Sequence, residues 1–148
     1  MNIKIRTYEP NDKQACLAAF KSNVPQYFTY DEVNKFDKWL DNMSAANYYV
    51  LEIEGKIAGC GGFAYTATDN EVRFTWGLVD KQFQKKGLGK QLLEFRIDRI
   101  KELYPGIPIA LDTTQHSYLF FEKLGFKVEK ITENFYAQGM DRYDMKFI

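Results

Sequence analysis

The 148-residue chain carries 20 Lys plus Arg against 20 Asp plus Glu, with 45% hydrophobic and 27% charged residues. These values describe one globular domain, residues 1–148, with a sizeable core; the balanced charge argues against a nucleic-acid binder, which normally shows a basic excess. An aromatic share of 16% argues against disorder.

In chain order, IKIRTYE alternates apolar and polar residues as a half-buried strand does. After Pro10, Asn11 and Asp12 a helix is expected, with Ala15, Leu17 or Ala18, and Ala19 or Phe20 on one face. Pro25 interrupts, and the aromatic stretch QYFTY leads into a second helix, DEVNKFDKWLDNM, whose stripe is Val33, Phe36, Trp39 or Leu40, and Met43. Three strands follow, NYYVLEIEG, IAGCGGFAYT and EVRFTWGLVD, joined by short turns. The glycines 59, 61 and 62 match no phosphate motif and read as bulge or close-packing positions.

A long helix is expected from about Gly89 to Leu103, with Leu92 or Leu93, Arg96, Ile100, and Leu103 or Tyr104 in register; Pro105 and Gly106 stop it. IPIALDT is a short buried strand, HSYLFFEKLGF a short helix, and KVEKITENFY and RYDMKFI the closing strands. Antiparallel runs with one βαβ crossover predict an α+β fold around a mixed, mostly antiparallel sheet flanked by helices.

Two cysteines, Cys16 and Cys60, lie far apart in sequence, and His116 is the single histidine, so no Cys/His metal set can be assembled. The N-terminus lacks a signal-peptide core, and no run approaches the ~20 apolar residues of a membrane span. A cytoplasmic protein with reduced thiols is expected, with no membrane or nucleic-acid partner; a homodimer is left open.

The chemistry is concentrated in FQKKGLGKQL, residues 83–92. Glycines and lysines where a strand gives way to a helix suit an anion, because a helix start offers unpaired N–H groups and a positive dipole end. A Walker A loop fails, since Gln91 follows Lys90 and Gln84 stands where its first glycine belongs. A dinucleotide fingerprint fails at Leu92, although Asp112 could mimic its ribose-binding acid. Gln84, Lys85, Lys86, Gly87, Leu88 and Gly89 complete the pattern Q/R-x-x-G-x-G/A. Val79 stands five residues before Gln84, and FFEKLGF ends a later short helix.

In these motifs and their order the chain resembles the GNAT family of N-acetyltransferases. The resemblance implies an acyl-CoA N-acyltransferase fold and acetyl-CoA as cofactor. It also implies transfer of the acetyl group to a primary amine of a small molecule or peptide. A non-catalytic acyl-CoA-binding or interaction module of the same fold is the alternative. The resemblance places pyrophosphate on the backbone of residues 84–90, including Lys90, and the thioester carbonyl at Leu78 and Val79. Phe121 stands where the family usually has a tyrosine, so it can pack against the cofactor but has no proton to give, and Thr114 replaces a common asparagine. Tyr118, one helical turn earlier, is then the substitute acid, with His116 and Tyr143 as other candidates. Glu71, sharing strand parity with Val79, is the candidate base. Tyr27, Phe28 and Tyr30 line the expected acceptor lid or form a hydrophobic plug, and Tyr136 and Gly139 line the acceptor pocket or form a final hairpin.

Overall fold

The computed structural model describes residues 2–43 and 47–147; Ile148, which the sequence places in the last strand, is outside the described residues. The strands are β1 (Ile3–Thr7), β2 (Asn47–Ile53), β3 (Lys56–Thr66), β4 (Glu71–Val79), β5 (Ile109–Thr113), β6 (Phe126–Ala137) and β7 (Met140–Phe147). The helices are α1 (Lys13–Lys21), α2 (Tyr30–Asn42), α3 (Leu88–Leu103) and α4 (Tyr118–Lys123). All the strands join one sheet in the order β1-β2-β3-β4-β5-β7-β6. Only β4 and β5 run parallel, because α3 carries the chain back across the sheet between them.

Strand alternation divides the core between two layers. In β2, Tyr48 and Val50 face α1 and α2, where they meet Phe20, Phe36 and Leu40. Their neighbours Tyr49 and Leu51 face the opposite layer, Tyr49 packing with Leu93 and Ile97 of α3 and Leu51 with Leu88 and Leu92. Helix α1 is turned slightly from its expected orientation. It buries Cys16, Leu17, Ala19 and Phe20, leaving Ala15 and Ala18 exposed, because the large Leu and Phe side chains decide the face and alanines follow. Cys16 and Cys60, distant in sequence, are both free and join this same cluster. Helix α2 starts on a reciprocal cap in which Glu32 N–H donates to Thr29 Oγ1 (3.2 Å) and Thr29 N–H to Glu32 Oε1 (3.0 Å).

The glycines of β3 belong to close packing, as their spacing suggested. A Cβ on Gly62 would lie 2.1 Å from the Asn47 carbonyl oxygen, a contact no side chain can make. Among the described residues, no helix is long and apolar enough to cross a membrane.

One ionic clamp joins the start of α1 to the edge of the sheet. Arg6 donates to both carboxylate oxygens of Asp12 (2.8 and 2.9 Å) and to Glu52 (2.9 Å), and Asp12 also accepts from Glu9 N–H (2.8 Å). The Arg6 hydrogen bonds hold the Asp12 carboxyl below its ordinary value of 3.8. A carboxylate with a depressed folded pKa stabilises the fold above its unfolded value, and that stability fades as pH falls through the folded one. Asp12→Asn is therefore expected to lose about 1–2 kcal/mol near pH 7. Below about pH 4 its stability should fall less steeply than that of the parent, as read by urea unfolding across pH.

Candidate active site

The site begins with a strand pair that comes apart. β4 and β5 pair only at Val72–Ile109 and Arg73–Ala110. Beyond these, β5 pairs with β7, while β4 runs on beside β3 to Val79. The β5-facing edge of β4 past Arg73 has no partner strand, so its backbone groups must be met by a ligand or by water. A bulge sharpens the opening. The β3–β4 register shifts between Cys60 and Gly62, and Trp76 takes a positive φ of 37°. Tyr48 Oη donates to the Trp76 carbonyl (2.7 Å), fixing the bulge from the helix-pair side, and Gly77 is left exposed in the opening.

At the far end of β4 the chain enters the glycine loop. Gly87 is the residue before α3 and has φ 78°, with open space where a Cβ would be, so conformation is what requires glycine. Gly89 is different. A Cβ there would stand 3.3 Å from the Phe120 ring and 3.9 Å from Val79 Cγ2, so space is what requires it. The first N–H groups of α3 lack intrahelical partners, and Lys85, Lys86 and Lys90 are exposed around this helix start. The Leu88 side chain is buried in the core, leaving its backbone as the part available to a ligand.

Gln84 faces inward. Its Nε2 donates to Asn23 Oδ1 (2.6 Å) and to the Val79 carbonyl (3.0 Å), and Asn23 Nδ2 donates to the same carbonyl (2.9 Å). Asn23 is 3% exposed and also donates to Ala19 O (3.1 Å), so the end of α1 anchors both the loop and the end of β4. Asn23 escaped the sequence reading; its position just before Val24–Pro25 marks a turn and gives no sign of these partners.

The remaining candidates fall into two groups. On the α3 side, Thr114 Oγ1 accepts from His116 N–H (3.2 Å) and its carbonyl accepts from Ser117 and Tyr118, building the turn into α4. Phe121 packs edge-on against Phe120 and Phe126, and Tyr118 stacks on Tyr143 with ring centres 4.4 Å apart. On the α1–α2 side, a cavity of about 480 Å³ lies between Pro25, Gln26 and Tyr30 on one wall and His116 with residues 137–140 on the other. Tyr27 meets His116 edge-on at 6.3 Å, whereas Phe28 stacks on Phe20 at 4.2 Å inside the core. The aromatic stretch is thus divided: Tyr30 lines the cavity, Tyr27 lies against His116, and Phe28 joins the core. Gly139 both lines the cavity and turns the β6–β7 hairpin, with φ 79°.

Glu71 lies at the β4 end opposite Val79, where β4 and β5 are still close. It is buried, 2.6 Å from Arg73 and 3.8 Å from Lys146. Arg73 continues to Asp112 (3.0 Å), which accepts a hydrogen bond from the Tyr136 hydroxyl. Burial first, and the Asp112 charge second, push the Tyr136 phenol far up, so it stays a protonated donor. The structure therefore joins Glu71 to an ion-paired network and does not bring it to the parted end of the strands. No cluster of three or more potential metal-ligating side chains occurs among the described residues.

A mixed sheet that parts between β4 and β5, with a glycine loop at a helix start beside the parting, is the frame of an acyl-CoA acyltransferase. The chain belongs to the acetyltransferase (GNAT) domain family, whose sequence pattern matches residues 9–148. Among curated relatives it is 26% identical to an N-alpha-acetyltransferase of Sulfurisphaera tokodaii, covering 86% of this chain and 79% of that one. It is 28% identical to a Bacillus subtilis subsp. natto protein described as a probable spermine N(1)-acetyltransferase, covering 86% and 89%. Among solved structures, yncA of Salmonella typhimurium, determined with its cofactor acetyl-CoA, superposes with a TM-score of 0.78 at 18% identity, covering 99% and 94%. The protein is an acetyl-CoA-dependent N-acetyltransferase, and its residues fit that cofactor. The loop before α3 leaves backbone donors for phosphate, and β4 leaves an unpaired edge along which an amide-bearing arm can lie.

Gly89→Val, which must displace the Phe120 ring beside the loop, should raise the acetyl-CoA Kd at least tenfold, with little change in Tm because Phe120 lies at the surface and can turn aside. Lys86→Ala should weaken binding only a few-fold, less so as salt rises. Isothermal titration at two ionic strengths checks both.

Proposed function

We propose that the acceptor is a primary amine of a small molecule or peptide, entering the cavity between the α1–α2 segment and the β6–β7 turn. The observation that carries this is the cavity's lining, with Pro25, Gln26, Thr29 and Tyr30 of the α1–α2 segment set against residues 137–140 of the β6–β7 turn. The cavity-lining residues include no carboxylate, and the carboxylates of the neighbouring network are paired with Arg73 and Arg142. A polyamine calls for uncompensated negative charge. The neutral wall suits the α-amine of a peptide or amino acid better, in keeping with the relatives named N-alpha-acetyltransferase.

The residues then take these parts. The backbone of residues 85–90 holds the pyrophosphate, with Gln84 keeping the loop in place. The β4 edge up to Leu78 and Val79 receives the pantetheine amides and the thioester carbonyl, with Thr114 and Phe121 closing the α4 side. Acetyl-CoA supplies an acyl group already activated as a thioester. Tyr27 and Tyr30 bound the amine, and Phe28 holds their segment to the core. Tyr118 donates a proton toward the sulfur, and water takes the proton of the incoming ammonium, since Glu71 is committed to Arg73 and Lys146.

Thiol release from acetyl-CoA, followed over peptides, amino acids, aminoglycosides and polyamines, tests the acceptor. Peptide or amino-acid α-amines should give the highest kcat/KM, and a strong preference for spermine would overturn the neutral-wall argument. Tyr118→Phe should lower kcat by about tenfold to a hundredfold, the low end for a general acid, with the acetyl-CoA KM within twofold. An unchanged kcat would assign that proton to water. Glu71→Gln should lower Tm without moving the acidic limb of the pH–rate profile; loss of that limb would restore Glu71 as the base.

A further inference from the structure

Arg96 lies in the middle of α3 and is only 4% exposed. Its guanidinium sits 4.0 Å above the Phe74 ring and makes one long hydrogen bond, Nη1 to the Gly62 carbonyl at 3.4 Å. Nε has no partner, and no carboxylate pairs with the group among the described residues. An unpaired buried cation is costly, by several kcal/mol even after the protein relaxes around it. Burial lowers the Arg96 pKa to about 10, which still leaves it charged near neutral pH.

The surroundings are shaped for this cation. A Cβ on Gly61 would lie 3.1 Å from the guanidinium, and one on Gly77 would lie 2.9 Å from Nη1. Two strands therefore carry glycine where the arginine ends. Gly77 is also the exposed residue of the β4 bulge, so only its backbone separates the cation from the opening. The titratable groups close enough to act on Arg96 are Tyr48 of β2 and Cys60 of β3, across the sheet on its α1–α2 side; β4 presents Phe74 and Gly77, which do not titrate. Burial raises the Tyr48 phenol well above its usual range, so it brings no compensating negative charge.

We propose that Arg96 stabilises, through the gap left by Gly61 and Gly77, the negative charge that develops on the cofactor's sulfur. This rests on the acetyl-transfer reading of the site. In the transfer the amine nitrogen bonds to the thioester carbonyl carbon and the C–S bond breaks. Its electron pair goes to sulfur and the nitrogen's proton to water, leaving an amide and a thiolate that Tyr118 then protonates. The carbonyl is received on β4 just past the bulge, and the sulfur is one bond from the carbonyl carbon. A fixed cation beneath the bulge thus acts where charge appears, in surroundings of low dielectric. Arg96 acts by its field, without touching the reacting atoms.

The test uses coenzyme A with its free thiol. The ultraviolet absorbance of the bound thiolate is followed against pH, as the difference between loaded and unloaded protein. In the parent the bound thiol should ionise at least one pH unit below free coenzyme A, a tenfold shift in its ionisation equilibrium. Arg96→Met, which keeps the apolar stem and removes the charge, should return it to the free value or above, with the acetyl-CoA Kd within threefold. Arg96→Lys should retain part of the shift, and kcat should follow the same order. A parent thiol that ionises like free coenzyme A overturns the proposal, as does an Arg96→Met thiol matching the parent. A fall in kcat with an unmoved titration assigns Arg96 to packing instead. Should Arg96→Met fail to fold, the parent titration and Arg96→Lys decide between the same outcomes. The titration needs no acceptor, so a shifted thiol alongside inactivity on every amine would sink the amine reading while leaving this one standing.

Discussion

Two backbone pairs, Val72 with Ile109 and Arg73 with Ala110, are the whole of the contact ladder between β4 and β5. A parallel pair in mid-sheet ordinarily continues, because each unpaired N–H or C=O buried there costs as much as a lost hydrogen bond. Here the pairing stops after Arg73 and Ala110. β5 is drawn to β7 through Ala110, Leu111, Asp112 and Thr113, while β4 follows β3 as far as Val79. The resulting wedge has polar backbone along one edge and apolar layers around it. An extended, amide-bearing ligand is the natural filling for such a space.

An opening of this kind needs rigid sides, or the strands would close and pair. The structure supplies separate supports for the β4 side. Asn23 and Gln84 both donate to the Val79 carbonyl, so the strand end is held by α1 and by the glycine loop together. Tyr48 holds the Trp76 carbonyl, keeping the bulge from relaxing into a regular ladder. Because the supports come from different elements, the donors facing the opening are set before any ligand arrives. Such preorganisation is what makes backbone dipoles effective on a developing charge.

The element order and the glycine turn that opens α3 were legible because both depend on local pattern. Hydrophobic period marks each helix and strand, and glycine at a helix start marks an anion site. What escaped depends on residues distant in sequence. Gln84 reads as part of a ligand motif, yet its side chain acts as a strut, and its partner Asn23 lies 61 positions away. Glu71 has the parity expected of a residue near Val79, but parity says nothing of Arg73 and Lys146 closing on it. Tyr27, Phe28 and Tyr30 are chemically alike in a list. Only the position of Phe20 decides that Phe28 goes inward while Tyr30 stays out. Arg96 appears in register with an apolar stripe, as it is, but the glycines that receive it belong to two other elements.

The distribution of charge about the sheet suits the direction of the reaction. On the proposed acceptor face, Arg73 lies between Glu71 and Asp112, Arg142 pairs with Asp144, and the raised Tyr136 phenol gives a hydrogen bond without giving up its proton. That network balances its own charges, so on the proposed acceptor face it adds little net field to draw cations. A neutral wall also favours an amine that has already lost its proton, the form able to attack. On the other face Arg96 stands unpaired beneath Gly77. The reaction starts from an uncharged amine and an uncharged thioester, and negative charge gathers on the side away from the acceptor. A protein that is neutral where the nucleophile enters and cationic where the leaving group departs favours that displacement by field alone. It does so even though Phe121 leaves α4 without a donor at that position, with Tyr118 a turn earlier as the proposed acid.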